Sequence, residues 1–220
     1  MEFLQNMVNC PLFKGISVEQ IEKILQCASA KRKIFKKGSY IFSEGDAAAL
    51  VGILVSGEVD IVKEDVMGNR ALIGRVGLGE TFSEHYAYTE DRTLKINALA
   101  MTDCKVVLLD YNRIITPCES TCDSHTQLLI NSVKILAERV VKVIQKMDYL
   151  SKRSLREKIL EYLSYVSLSK NNNKFTIPFS RQALADYLYV DRSALSRELS
   201  KLKEEGIIDY NKNVFTLKNK

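Results

Sequence analysis

The first half of the chain alternates short apolar runs with turns that contain glycine. Nine of the ten glycines fall between Gly15 and Gly79. Short apolar runs bounded by glycine are typical of antiparallel strands. The predicted strands are Tyr40–Phe42, Leu50–Val55, Val59–Val62, Ala71–Val76, Thr93–Leu99 and Lys105–Leu109. Strands of this length and spacing predict a small antiparallel barrel or sandwich. Before them, Ser17 and Gln20 form the pattern of a helix capping box.

A helical period replaces this pattern between Ser124 and Tyr149, where the chain has neither glycine nor proline. Seven apolar residues recur there at alternating steps of four and three, which is the spacing of a two-stranded coiled coil. These residues, called the seam below, are Leu129, Val133, Leu136, Val140, Val143, Met147 and Leu150. We expect one helix of about 40 Å that pairs with a second copy of the chain. A further apolar set lies off the seam and is expected to rest on the barrel: Ile130, Ile135, Val141 and Ile144.

Two short helices separated by a tight turn are predicted after Phe179. Ser180 can cap a helix that ends at Leu188, and Asp191 can cap a second helix that runs to about Glu205. Tyr189 stands at a turn position where glycine is common, so we expect a slightly strained turn. This is the helix-turn-helix pattern, whose second helix enters the DNA major groove by its N-terminal end. Phe175–Phe179 predicts a short strand before these helices, and the residues after Gly206 predict a two-stranded wing.

The charge of the chain is divided unevenly. The 220 residues carry a formal net charge of +5. Residues 1–149 hold 18 Lys and Arg against 19 Asp and Glu, whereas residues 150–220 hold 14 against 8, so the two parts carry −1 and +6. The basic excess therefore coincides with the helix-turn-helix and favours a polyanionic partner there. We predict three parts: a barrel that senses an effector (1–123), a dimerisation helix with a hinge (124–150) and a winged helix-turn-helix (151–220).

The order of these parts, together with four motifs, resembles the CRP/FNR family of bacterial transcription regulators. The motifs are IFSEGD at 41–46, ILVSGEV at 53–59, GETFSE at 79–84 and SRQALADYLYVDRSALSRELSKLKEEGII at 180–208. The resemblance covers essentially the whole chain. It implies an α+β protein with an N-terminal cyclic-nucleotide-binding-type β-barrel (jelly roll), a long dimerisation helix and a C-terminal winged helix-turn-helix. It also implies a homodimer bound to a palindromic operator in double-stranded DNA.

The resemblance and side-chain chemistry together assign the DNA contacts. The residues expected to contact bases are Arg192, Ser193, Ser196 and Arg197. The guanidinium fork of the two arginines suits guanine O6 and N7. Ser193 stands where many family members carry glutamate, which puts the family's usual half-site in doubt for this chain. The residues expected to contact phosphates are Ser180, Arg181, Gln182 and Lys201.

The effector position departs from the pattern of members that bind cyclic AMP. Those members hold the ribose and the phosphate of the nucleotide with a Gly-Glu pair and an arginine about ten residues later. Here Ser83 replaces the glycine before Glu84, and Leu94 stands at the arginine's position, with Arg92 and Lys95 nearby. Arg92 can reach inward if the loop is shorter than in those members. We therefore expect that the pocket around Ser83, Glu84, Arg92 and Lys95 takes a small ligand other than cyclic AMP, or none.

Other chemistries have little support in the sequence. Cys118, Cys122 and His125 have a spacing that fits part of a metal site, but no fourth ligand accompanies them. The sequence shows no clear metal, haem or iron–sulfur signature, and no pattern of catalytic groups or phosphate-binding glycine loop that indicates an enzyme. The five cysteines are expected to be reduced.

The chain has no apolar run of membrane-spanning length and no signal peptide pattern, so we predict a cytoplasmic protein. One alternative remains: a cyclic-nucleotide-type regulatory module that acts through protein partners. A steep fall in DNA affinity as the salt concentration rises would indicate the DNA-binding regulator, whereas absent or salt-insensitive binding would favour this alternative. RNA polymerase is a further expected partner if the protein activates transcription.

Overall fold

The structure is a computed structural model that describes residues 7–67, 70–116 and 123–218. Contacts divide the chain into two compact units. The first is formed mainly by residues up to Val140, and the second mainly by residues from Val141 onward.

The N-terminal part contains two four-stranded sheets. Their strands are β1 (Lys31–Phe35), β2 (Tyr40–Phe42), β3 (Leu50–Ser56), β4 (Val59–Glu64), β5 (Arg70–Val76), β6 (Thr81–Phe82), β7 (Asn97–Ala100) and β8 (Cys104–Asp110). The strand orders are β1-β8-β3-β6 and β2-β7-β4-β5, and pairs such as β3–β8 and β4–β7 are antiparallel. Buried residues from both sheets share one core, as in a sandwich of two packed sheets. This confirms the predicted antiparallel barrel of jelly-roll type.

Short helices accompany these sheets. A 3₁₀ turn spans Pro11–Phe13, and helices α1 (Val18–Cys27), α2 (Glu84–Ala87) and α3 (Tyr111–Ile115) follow. The predicted capping box is confirmed, because the Ser17 side chain accepts the Gln20 amide and the Gln20 side chain accepts the Ser17 amide. The apolar face of α1 contributes Ile21 and Ile24 to the core.

Two strands were not predicted, and one is shorter than predicted. Strand β1 is basic and exposed at a sheet edge, so it lacks the apolar alternation that marks a half-buried strand. Strand β6 has two residues. The expected strand Thr93–Leu99 is reduced to β7 (Asn97–Ala100), because Arg92 takes a positive φ of 42° and Thr93 makes an isolated bridge with Ala47.

Helix α4 (Asp123–Leu150) runs for 28 residues, as the apolar period predicts. One line of its residues faces the N-terminal core at steps of four and three: Leu128 and Ser132 are buried, Ile135 packs against the core, and Arg139 continues the line. Polar contacts add to this packing, since the Asn131 side-chain amide donates to the carbonyl oxygens of residues 12 and 14.

The expectation for the off-seam apolar set was wrong for three of its four members. Ile135 rests on the core, but Ile130, Val141 and Ile144 are exposed. The face of α4 that packs contains the small polar residue Ser132 and the charged Arg139, which hydropathy alone does not mark as buried.

The C-terminal elements are α5 (Leu155–Lys170), β9 (Lys174–Thr176), α6 (Arg181–Leu188), α7 (Arg192–Glu204), β10 (Ile208–Asn211) and β11 (Val214–Leu217). Helix α5 begins with a capping box between Ser154 and Glu157. The predicted two-stranded wing is a three-stranded sheet in the order β10-β11-β9, because β9 pairs with β11. The strand predicted over Phe175–Phe179 is shorter and begins one residue earlier.

Candidate functional site: the helix-turn-helix and the effector position

Local capping fixes the two helices of the helix-turn-helix. The Ser180 hydroxyl accepts the Ala183 amide at 3.2 Å at the start of α6. The Asp191 carboxylate accepts the Ala194 amide at 2.8 Å at the start of α7. Between the helices, Tyr189 has φ 56° and ψ 50°, the left-handed conformation expected of this turn position. The left-handed conformation costs a residue other than glycine roughly 1–2 kcal/mol, so the backbone of this turn is slightly strained.

Buried residues from both helices hold the pair together. Leu184, Ala185 and Leu188 on α6 and Leu195 and Leu199 on α7 are almost completely inaccessible to solvent. The small side chain at Ala185 permits the close approach that the sequence predicts.

The four residues expected to contact bases lie on the first turns of α7. Arg192, Ser193 and Arg197 are exposed, and Ser196 is half-buried. Neither arginine forms an ion pair with a described residue. The Ser193 hydroxyl donates to the Asp191 carboxylate, and this bond together with the Ala194 amide holds the pKa of Asp191 below its usual value.

The hydroxyl of Ser196 donates to the Arg192 carbonyl at 2.9 Å. Both serine hydroxyls therefore use their hydrogen within the helix and keep oxygen lone pairs free to accept. This face of α7 therefore presents two guanidinium groups and two hydroxyl oxygens that can accept hydrogen bonds from an approaching ligand.

The residues expected to contact phosphates are not equivalent. Lys201 is exposed, and its side chain makes no ion pair within the described chain. Gln182 is exposed and donates to the Asp186 carboxylate at 2.7 Å. Arg181 instead lies against the wing: its guanidinium carbon is 4.9 Å from the Tyr210 ring centroid, and its Nη2 donates to the Lys212 carbonyl at 3.4 Å. Burial lowers the pKa of Arg181.

An ion-pair group that sequence reasoning missed joins α5 to α7. Nη1 of Arg156 lies 2.9 Å from the Glu205 carboxylate and 3.4 Å from that of Glu198. Because Arg156 lies 42 positions from Glu198 and 49 from Glu205 in the sequence, no local spacing rule identifies the group.

The structure does not bring the four expected effector residues together. Ser83 and Glu84 are buried, and Leu94 is buried as well. Arg92 is exposed and donates from Nη1 to the Asn112 side chain at 2.9 Å. Lys95 is also exposed, with its Nζ 2.8 Å from the Asp91 carboxylate. The two cations therefore have partners on the surface, away from a buried ligand.

Glu84 has a different partner from the one the sequence suggests. Its carboxylate forms an ion pair with Arg139 of α4, and the same guanidinium donates to the Thr81 carbonyl oxygen. Ser83, immediately before it, adopts a left-handed φ of 67°. Arg139 lies 55 residues from Glu84 in the sequence, which is why pattern reasoning overlooked it.

Space beside Glu84 is small. A cavity of about 10 Å³, lined among others by Thr81, Glu84 and Ser132, is close to the minimum that holds one water molecule. Behind it, the Phe82 ring covers Gly52 so closely that a Cβ at Gly52 would lie 2.3 Å from the ring, and Phe42 packs 5.5 Å from Phe82 between ring centroids. In this conformation aromatic side chains fill the interior next to the effector position.

The expected partial metal site cannot be assembled from the described residues. Cys118 and Cys122 lie outside them, and His125 is half-buried near the start of α4. Within residues 7–67, 70–116 and 123–218, no group of three His, Cys, Asp or Glu side chains has an arrangement that could hold a metal ion. Burial raises the pKa of the Cys10 thiol to about 12, so that thiol is protonated at neutral pH.

Comparison with known families accounts for both halves of the chain. Residues 32–120 match the cyclic nucleotide-binding domain, and residues 139–220 match the Crp-like helix-turn-helix domain. The chain belongs to the CRP/FNR family of transcription regulators. This is a family of regulators rather than of enzymes, and its members carry a helix-turn-helix DNA-binding domain.

Relatives in the CRP/FNR family are distant in sequence. CRP-like protein Clp of Xanthomonas campestris pv. campestris is 24% identical over 195 residues, which cover 86% of this chain and 83% of the relative. The cyclic AMP receptor protein of Thermus thermophilus is 24% identical over 205 residues, with 92% and 89% covered.

Solved structures of the family show the same fold. The structure of Clp, described as a c-di-GMP responsive global regulator, superimposes with a TM-score of 0.72 at 21% identity and covers 93% of this chain and 100% of that one. A CooA variant from Carboxydothermus hydrogenoformans gives a TM-score of 0.73 at 16% identity, with 98% and 91% covered. None of the described helices of this family member has the length and apolar character to cross a membrane.

Proposed function

We propose that the protein is a homodimeric, sequence-specific DNA-binding regulator that acts on a palindromic operator in the cytoplasm. The observation that carries the proposal is the exposed pair Arg192 and Arg197 on the first turns of α7, without ion pairs to described residues. An exposed arginine with no ion pair to the described residues, at the N-terminal end of a recognition helix, suits bidentate binding to guanine in the major groove.

Ser193 and Ser196 complete the base-reading face. Because their hydrogens are used within α7, their oxygens are available to accept from the exocyclic amines of cytosine or adenine. A serine at position 193 is shorter than glutamate, so the half-site differs from one that a glutamate would read.

Phosphate contacts set the register on DNA without specifying the sequence. The exposure of Ser180, Gln182 and Lys201 on the helix-turn-helix supports this role for them. Arg181 is half-buried against Tyr210. We therefore assign it a second role, in which it holds the wing in position so that the wing can contact the DNA backbone.

A dimer is supported by the exposure of the seam. Val133, Val140, Val143 and Met147 are between 57% and 66% exposed in the single chain. Large apolar side chains in an unbroken heptad line on one helix fit a second copy of that helix. Dimerisation about a two-fold axis places two recognition helices about one DNA turn, roughly 34 Å, apart.

An effector other than cyclic AMP, or none, is supported by the effector position. Leu94 supplies no charge there, Arg92 and Lys95 have surface partners, and Glu84 is already paired with Arg139. A cyclic phosphate would enter a site without a free cation. Isothermal calorimetry of the purified dimer with cyclic AMP is expected to show no saturable heat, and micromolar affinity would contradict the proposal.

DNA binding is tested by selecting bound sequences from a random duplex pool and measuring their affinity by fluorescence anisotropy. Arg192→Ala and Arg197→Ala are each expected to lose about 1–3 kcal/mol of discrimination at one base pair. Lys201→Ala is expected to weaken binding to all DNA sequences alike. It should also lower by about one the slope of the logarithm of affinity against the logarithm of salt concentration. Lys170→Ala, at an exposed position at the end of α5, is the matched control and should change neither.

Absent or salt-insensitive binding to every duplex would contradict the proposal and favour a regulatory module that acts through protein partners. If DNA binding is confirmed, RNA polymerase becomes the partner to test by co-purification with the operator complex.

A further inference from the structure

A group of buried polar side chains surrounds the effector position. The carboxylate of Glu84 is buried, and Arg139 supplies its counter-charge. The hydroxyls of Thr81 and Ser83 beside it are also buried and make no hydrogen bond to the described residues. Both carboxylate oxygens of Glu84 and Nε of Arg139 likewise lack a hydrogen bond to the described residues, so Arg139 balances the charge of Glu84 through the ion pair alone. Buried carboxylates are costly without a counter-charge, so Arg139 has a specific task at this point.

Arg139 also has a defined place on helix α4. It continues the line of Leu128, Ser132 and Ile135 that packs on the N-terminal core, and it directly precedes Val140 of the seam. Successive helical residues point about 100° apart. The rotation that brings Arg139 to Glu84 therefore also determines the direction in which Val140 and the rest of the seam face.

We propose that the Glu84–Arg139 ion pair takes the place of a bound ligand in joining the effector segment to the long helix. The pair fixes the rotation of α4 so that the seam is presented to a second copy, and dimerisation and DNA binding then require no added ligand. Arg139 is thus a positioning residue. This inference rests on the proposed function, because it concerns how that DNA-binding dimer is controlled.

The mechanism follows from the cost of an unpaired buried charge. Without the Arg139 charge, the Glu84 carboxylate is left in a buried site without a counter-charge, and contact with water becomes favourable for it. Reaching water means that the segment around Ser83 and Glu84 moves and that α4 loses the charged contact that fixes its rotation at Arg139, beyond the packing of Leu128 and Ile135 nearer its start.

The experiment is a double-mutant cycle in the full-length chain with Glu84→Gln, Arg139→Gln and both together. Dimerisation is measured by sedimentation equilibrium, DNA affinity by anisotropy without added ligand, and folding by circular dichroism and melting. Arg139→Lys keeps the charge and serves as the conservative variant. Lys134→Gln, at an exposed position on the same helix without an ion pair to a described residue, is the matched control.

We expect each single glutamine variant to raise the dimer dissociation constant at least about tenfold, because the charge left without its partner disturbs the packing that orients the seam. The double variant should be no weaker than the worse single variant, and Arg139→Lys should recover most of the loss. Folded single variants that dimerise and bind DNA as well as or better than the wild type would overturn the inference. If one of the two single glutamine variants fails to fold, the other single variant and Arg139→Lys still give the comparison.

The two proposals fail in different ways. A wild-type dimer that binds no duplex DNA contradicts the proposed function, while the effect of Glu84→Gln on dimerisation still tests the ion pair. A wild-type protein that binds its operator only after a small molecule is added contradicts the inference and leaves the proposed function intact.

Discussion

The hydroxyl of Tyr149, one residue before the end of α4, hydrogen-bonds to the hydroxyl of Tyr187 on α6 at 2.7 Å. Both rings belong to an aromatic cluster with Tyr162 and Phe179, in which neighbouring ring centroids lie between 4.6 and 6.5 Å apart. Tyr149 is 2% exposed. A buried aromatic cluster with a satisfied hydroxyl pair holds the last turn of α4 against the first helix of the helix-turn-helix.

Tyr149→Phe is expected to lower the free energy of unfolding by about 1 kcal/mol, because the Tyr187 hydroxyl loses its buried partner while the ring packing stays. Chemical denaturation followed by circular dichroism measures the change. Tyr165→Phe is the control, since the Tyr165 hydroxyl has no hydrogen bond to a described residue; equal losses in both variants would contradict the assignment.

Lys146 predicts a rise of stability with pH. Burial lowers its pKa to about 8, and its Nζ lies 4.0 Å from the Tyr187 ring centroid and 5.2 Å from that of Tyr189. The unfolded chain keeps the lysine proton to about pH 10.4. Above pH 8 the folded state therefore binds fewer protons than the unfolded state, and stability increases with pH.

The free energy of unfolding of the wild type, relative to that of Lys146→Met, should increase by up to about 2 kcal/mol between pH 7 and pH 9.5. Denaturation of both proteins across this range gives the difference. A constant difference, or one that decreases with pH, would contradict the assigned pKa.

Two neighbouring valines on α4 distinguish the effect of a charge on the seam from the effect of a charge at any exposed position of the helix. Val140 lies on the seam and is 57% exposed, whereas Val141 lies off it and is 53% exposed. We expect Val140→Asp to produce monomers at micromolar concentration, because a charge at a core position of a coiled coil is buried without a partner. Val141→Asp should remain dimeric by light scattering, and dissociation of both variants alike would argue against this seam.

Two glycines test the packing of the interior. Gly52→Ala is expected to cost about 1–3 kcal/mol, because the new methyl group would meet the Phe82 ring at 2.3 Å. Gly74→Ala places its methyl group where no heavy atom lies within 4 Å, and it should be neutral or slightly stabilising. Thermal melting compares the two, and a tolerated Gly52→Ala would show that the ring yields easily.

Local signals in the sequence predicted most of the elements. The caps at Ser17, Ser180 and Asp191 are present where the polar residues precede an apolar period. The long helix ends at the residue where its seam ends, Leu150. These features depend on residues within four or five positions of each other, so a local sequence pattern is sufficient to predict them.

Predictions failed where the partner lies far along the chain. Strand β1 forms because it pairs with β8, and its own exposed basic residues show no alternation. The wing gains its third strand from β9, nearly forty residues before β11. Arg92 was expected near a buried ligand, but its positive φ and the side chain of Asn112 direct it to the surface.

By itself the sequence determined the order of the elements, the heptad seam, the basic C-terminal third and the helix that presents Arg192 and Arg197. Only the tertiary structure decided that the aromatic interior next to Glu84 is filled and that this carboxylate pairs with Arg139. The reason is physical: caps and periods are set by nearest neighbours, whereas the partner of a buried charge is set by which distant surfaces pack together.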